Sequence, residues 1–133
     1  MDLGKQNILF FTRTMMLGGT ENVVLQLCEV FKPKVNKIVV CSCGGVNVEK
    51  LTEMGIRHYQ IPDISSKKDM FKICRTVKKI VEKEQITVIH SHHRMAAFYT
   101  EILFGSSIIK IANAHNTFFD KKLLTRFAYR NTK

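Results

Sequence analysis

Five short strand-like runs alternate with segments of helical periodicity along this chain, and that alternation leaves few folds open. The runs cover residues 8–11 (I-L-F-F), 37–43 (K-I-V-V-C-S-C), 57–61 (R-H-Y-Q-I), 87–91 (T-V-I-H-S) and 108–114 (I-I-K-I-A-N-A). Each has strand length, and most are apolar at consecutive positions, as strands buried on both faces are. Between the first two, Val24, Leu27, Cys28 and Phe31 recur on one helical face. Residues 48–54 suit a short helix that Gly55 ends as a left-handed cap. Residues 67–84 place Met70, Cys74, Val77 and Val81 in one row, with Phe71, Ile73 and Ile80 beside it. Ser66 can cap that helix, and residues 95–104 suit another. Strands and helices in this order imply right-handed βαβ units, so the expected fold class is α/β with a mainly parallel, doubly wound sheet.

The chain has 133 residues, one domain's worth, and residues 1–133 are read as a single unit. The four cysteines (Cys28, Cys41, Cys43, Cys74) fall within apolar strand or helix patterns, which reads as reduced core residues. Cys41-Ser42-Cys43 has the wrong spacing for a zinc knuckle, and no second cysteine pair accompanies it. No apolar run approaches membrane-span length, and the N-terminus lacks a basic-then-apolar leader, so the expected compartment is the cytoplasm.

The formal charge of +10 asks for a partner: nucleic acid, an anionic membrane surface or a phosphorylated small molecule. Lys67, Lys68, Lys72, Arg75, Lys78, Lys79 and Lys83 line the polar face of the 67–84 helix, and residues 121–133 form a second basic segment around Leu123, Leu124, Phe127 and Tyr129. No exposed aromatic or reading motif is apparent among the lysines, which argues against nucleic acid. The 121–133 segment is the better candidate for an anionic membrane, as it combines charge with apolar side chains.

In a doubly wound sheet, ligands bind beyond the carboxyl ends of the strands, where strand order reverses. Three expected strands end in unusual polar sequences: Gly18-Gly19-Thr20, His90-Ser91-His92-His93-Arg94 and His115-Asn116-Thr117. The first is a strand, a glycine turn and a helix start. Two glycines there allow positive φ and leave no Cβ to block a ligand, Thr20 or Gly19 can cap the helix, and the junction suits an anion such as phosphate. The G-x-G-x-x-G spacing of a dinucleotide site is absent, and Glu21 already occupies part of the dipole field. His90, still inside a strand, reads as a buried histidine bonded to backbone. His92 and His115 fall just past buried runs, where packing does not demand an imidazole. A zinc site from His90, His92 and His115 lacks a nearby acid, and no metal is expected.

Leu17-Gly18-Gly19-Thr20-Glu21, V-I-H-S-H-H-R and A-N-A-H-N-T-F, in this order and spacing, resemble the N-terminal domain of family 4 glycosyltransferases. The resemblance implies a Rossmann-like half of a GT-B fold in a retaining enzyme that uses a nucleotide sugar. It assigns the donor phosphates to Gly18, Gly19 and Thr20, and the reacting centre to His115. It places His92 in the cleft and calls for no metal; Arg94 and Asn116 join the cleft by their positions next to these motifs. The expected partners are the nucleotide-sugar donor, a sugar or lipid-linked acceptor and a missing C-terminal domain, without which the chain should not catalyse transfer. A lipid-linked acceptor would put the protein at the inner face of the membrane. Two other readings stay open: a stand-alone module that binds a phosphorylated ligand or nucleic acid, and part of a nucleotide-sugar epimerase.

Overall fold

The computed structural model describes residues 2–16 and 18–112. Five strands form one sheet: β1 (Asn7–Phe11), β2 (Lys37–Ser42), β3 (Arg57–Gln60), β4 (Val88–Ser91) and β5 (Ile109–Ala112). All neighbours are parallel, in the order β3-β2-β1-β4-β5. Four α-helices connect them: α1 (Gly19–Phe31), α2 (Val48–Glu53), α3 (Met70–Glu84) and α4 (Arg94–Leu103). The fold is the expected doubly wound α/β arrangement, and strand order reverses between β1 and β4. The cleft described below opens at that reversal.

Alternate strand residues separate two cores. Leu9, Phe11, Val39, Cys41 and Ile89 meet Ile73, Val77 and Ile80 of α3 and Ala96 and Tyr99 of α4. On the opposite face, Ile8, Phe10, Ile38, Val40 and Val88 meet Val24, Leu25 and Cys28 of α1 and Leu51 of α2. Cys28 and Cys41 are buried, Cys43 and Cys74 half-buried, and all four are free thiols. Burial pushes the Cys28 thiol up to about 12, so it acts as a small apolar group.

The fold corrects four expectations. Phe71, grouped with the apolar row of α3, points outward and is 87% exposed. Neither Gly19 nor Thr20 caps α1: Gly18 holds the cap position with no side-chain bond, and its φ of 167° is extended backbone open to any residue. Positive φ among the described glycines belongs to Gly44, Gly45 and Gly55, of which only Gly55 follows the expected cap. The histidines at the end of β4, His90 within it and His92 just past it, also differ from expectation. His92 is the buried one at 1% exposure, while His90 is half-buried and lines an apolar cavity of about 280 Å³ with Phe10, Leu27, Val88 and Ile111.

At the end of the sheet remote from the strand-end loops, Glu84 is 3% exposed yet charged. Burial alone would push its carboxyl up, but hydrogen bonds from Tyr59, Lys37 and Arg57 outweigh burial and hold it at about 2. Its ordinary value is 4.5, so this group stabilises the fold fully above pH 4.5 and loses that contribution as pH falls towards 2. The melting temperature should therefore drop between pH 5 and 2, and Glu84→Gln should lower it at pH 7 and flatten the acid drop. An unchanged acid limb in Glu84→Gln would assign the drop to other groups.

Candidate functional site

Two loops zipped together build the rim. Leaving β1, the chain donates from Thr12 N–H to Cys41 O (3.2 Å) and accepts at Arg13 O from Cys43 N–H (2.9 Å). Met15 N–H then donates to Gly44 O at 3.0 Å, and Asn47 N–H donates to Met15 O at 2.7 Å. The Asn47 side chain, 1% exposed, adds a bond from Nδ2 to Met16 O at 2.9 Å. Gly45 is what lets the loops close. At φ +149°, an added Cβ would lie 2.4 Å from the Met15 carbonyl carbon and the Met16 nitrogen.

The α1 N-terminus faces the space these loops frame. Its ladder begins with Asn22 N–H to Gly18 O at 3.1 Å, so the amides of Gly19, Thr20 and Glu21 precede the ladder. Nothing lies within 4 Å of a Cβ added to Gly19, so the backbone there is open to approach. Glu21, in the third helical position, folds its side chain back over the start of the helix. Its Oε2 accepts from Thr14 Oγ1, and its Oε1 would be 2.6 Å from a Cβ on Gly18.

Thr12, Arg13, Thr14, Thr20, Glu21, His92 and His93 line a polar cleft of about 110 Å³. The sheet delivers His92 there. Its amide continues the β4–β1 pairing to Phe11 O at 2.9 Å, and its ring lies 4.2 Å from that of His90, centroid to centroid. His93 caps α4: its Nδ1 accepts from Met95 N–H at 3.1 Å. The neutral ring therefore carries its proton on Nε2. Burial lowers the His93 pKa, and the charges of Arg13 and Arg94 lower it further against an opposing effect of Asp63. Arg13 in turn is gripped by Asp63 through two bonds of 2.9 Å, which ties the loop after β1 to the loop after β3. The guanidinium holds the Asp63 carboxyl well below the carboxylate range, and Ser65 N–H adds a bond at 2.9 Å.

A neutral His93 at pH 7 is an expected result that NMR titration checks. Its folded pKa lies below the ordinary 6.5, so folding opposes its protonation, and stability from this site falls as pH drops through 6.5 and below. Arg13→Gln should move the His93 midpoint upward, because it removes a nearby cation and frees the Asp63 carboxylate. A midpoint that stays put would separate the two residues.

Of the residues singled out from sequence, Thr20 and His92 line this cleft, while Gly18 and Gly19 stand at the start of α1 beside it, with the Glu21 side chain folded against Gly18. Arg94 opens α4, is exposed, and reaches the cleft through its charge on His93. His115 and Asn116 lie outside the described residues. Arg13, Asp63, His93 and Asn47 were not singled out. Asp63 had a readable signal, since Pro62-Asp63-Ile64-Ser65 suits an Asx turn, but its pairing with Arg13 spans 50 residues. Among the described residues no group of three or more His, Cys, Asp or Glu side chains could hold a metal ion.

A parallel sheet with helices on both faces and a polar cleft at its reversal defines a Rossmann-like domain of the GT-B type. The Glycosyltransferase Family 4 model matches residues 17–133, and the chain belongs to that family. Among solved structures it is similar to a glycosyltransferase from Rickettsia africae ESF-5 (TM-score 0.67, 16% identity, covering 86% of this chain and 31% of that one). It is also similar to MurG of Acinetobacter baumannii (TM-score 0.66, 13% identity, 92% and 39%). A third similarity is to Alr3699/HepE of Anabaena in complex with UDP-glucose (TM-score 0.69, 13% identity, 95% and 35%). The chain thus spans about a third of the length of these structures. A search of curated proteins found no match.

Proposed function

We propose that this chain is the N-terminal, acceptor-side domain of a retaining glycosyltransferase that uses a nucleotide sugar and transfers only together with a second, donor-binding domain. The observation that carries the reading is the open α1 N-terminus at the strand-order reversal. Amides ahead of the helix ladder, a glycine with free space at its Cβ and the positive end of a helix dipole suit a diphosphate. The family supports glycosyl transfer, and the UDP-glucose in the HepE structure supports a nucleotide-sugar donor.

In this reading, Gly18, Gly19 and Thr20 meet the donor phosphates. Retaining transfer builds positive charge on the sugar and negative charge on the leaving phosphate, so fixed dipoles at the phosphate lower the barrier. His92, His93 and Thr14 offer polar groups to sugar hydroxyls, and His115 acts beside the transferred sugar with Asn116 near it. Arg94 contributes charge at the edge. The acceptor is a sugar or a lipid-linked sugar. Amides and the helix end meet the phosphate charge, and the reading calls for no metal. Family membership and the cleft both support this assignment.

In the complete protein, Gly19→Val should cut turnover at least about tenfold by crowding the phosphate site, with the melting temperature little changed. Equal activity would sink the phosphate assignment. Loss of folding would mark the glycine as a structural turn instead.

A further inference from the structure

Phe71 is 87% exposed, the highest value among the exposed large apolar residues. It belongs to the outer face of α3, whose inner face is filled by Ile73, Val77, Ile80 and Val81. At about 100° per residue, Phe71 falls between Lys78 and Arg75 on the helix surface, with Lys68 within about 60°. Lys68, Lys72, Arg75, Lys78, Lys79 and Lys83 are all exposed, against the single exposed acid Glu82 in the same stretch. Packing within the domain asks for no phenyl ring at this position.

We propose that the outer face of α3 docks on an anionic lipid surface, with Phe71 as the inserted side chain. A convex helix with one aromatic ring in a lysine field matches a membrane interface: the ring enters the headgroup boundary while the lysine stems lie flat and keep their ammonium groups at the phosphates. Single-stranded nucleic acid is bound otherwise, along a groove on which several aromatics stack successive bases, and this convex face offers no such platform. Among the described residues no helix is long and apolar enough to cross a membrane, so the contact is peripheral. It also lies close to the cleft in the chain. Asp63, which holds Arg13 at the rim, precedes Phe71 by eight residues, so docking would set the cleft near the lipid surface. This surface differs from the 121–133 segment favoured on sequence alone. It does not depend on glycosyl transfer.

The chain contains no tryptophan, so Phe71→Trp creates a single fluorescent reporter at the proposed point of entry. With vesicles of mixed phosphatidylglycerol and phosphatidylcholine, its emission should shift to the blue. The shift should be absent with phosphatidylcholine alone and should vanish at about 0.5 M salt, where the Debye length is a few ångströms. In co-sedimentation of the otherwise unchanged chain, Phe71→Ser should weaken binding about tenfold, because an inserted ring is lost. The same substitution should leave the melting temperature unchanged, since the ring is almost wholly exposed. No blue shift, an equal shift with neutral vesicles, or undiminished binding by Phe71→Ser would overturn the proposal. The last result would favour residues 121–133. Displacement from vesicles by a stoichiometric single-stranded oligonucleotide would overturn it in favour of nucleic acid.

Discussion

Gly45→Ala should be the most damaging single-methyl change in the described part of this protein, costing about 4 kcal/mol and lowering the melting temperature by roughly 15 °C. Two effects add. An L-residue at φ +149° is strained by about 1–3 kcal/mol, and its Cβ would sit 2.4 Å from backbone atoms of Met15 and Met16. Those atoms cannot step aside. Met15 is fully buried, its amide and carbonyl are bonded to Gly44 and Asn47, and the Asn47 side chain holds the carbonyl of Met16. Gly19→Ala is the control: open space surrounds that position, and alanine is the better helix former, so stability should stay level or rise slightly. Thermal melts of both variants give the contrast. A Gly45→Ala protein that melts within about 3 °C of the parent would mean the two loops part without loss.

His115→Ala should have the largest effect on chemistry. On the reading proposed above, it should lower kcat of the two-domain enzyme by roughly a hundredfold or more, with little change in melting temperature. β5 ends at Ala112, and its register aligns Ala112 with Ser91, one residue before His92 of the cleft. His115 follows three residues later in the sequence. An imidazole next to the transferred sugar can donate to a hydroxyl or to phosphate, and either bond strengthens as charge develops. Activity within a few fold of the parent would remove His115 from the reacting centre. The Gly19→Val test would then still stand, because it probes the phosphate end alone.

The architecture was legible because its signals are local. Consecutive apolar residues at 8–11 and 38–41 can only be buried on both sides, and the helical spacing of Val77 and Val81 needs no knowledge of partners. The cleft was half legible. Sequence could place His92 and the glycines at a strand end, since strand ends are local features. It could not find the Arg13–Asp63 pair, which depends on two loops meeting across β1, β2 and β3. Nor could it tell His90 from His92, because both lie on the same side of β4 and only the neighbouring elements decide which is covered. Phe71 misled for a related reason. A periodicity argument counts a phenyl ring as core wherever it falls near the apolar row, and position 71 is two residues from Ile73 but faces the other way.

The carboxylate of Glu21 has a consequence for traffic through the cleft. It already lies against Gly18, at the helix end that the proposed donor would use. Arrival of a diphosphate is then an exchange of one anion for another, and the net affinity is a difference between two attractions rather than the full strength of either. Departure runs the exchange backwards. On the proposed reading the same carboxylate, oriented by Thr14, returns to the helix end once the phosphate group leaves.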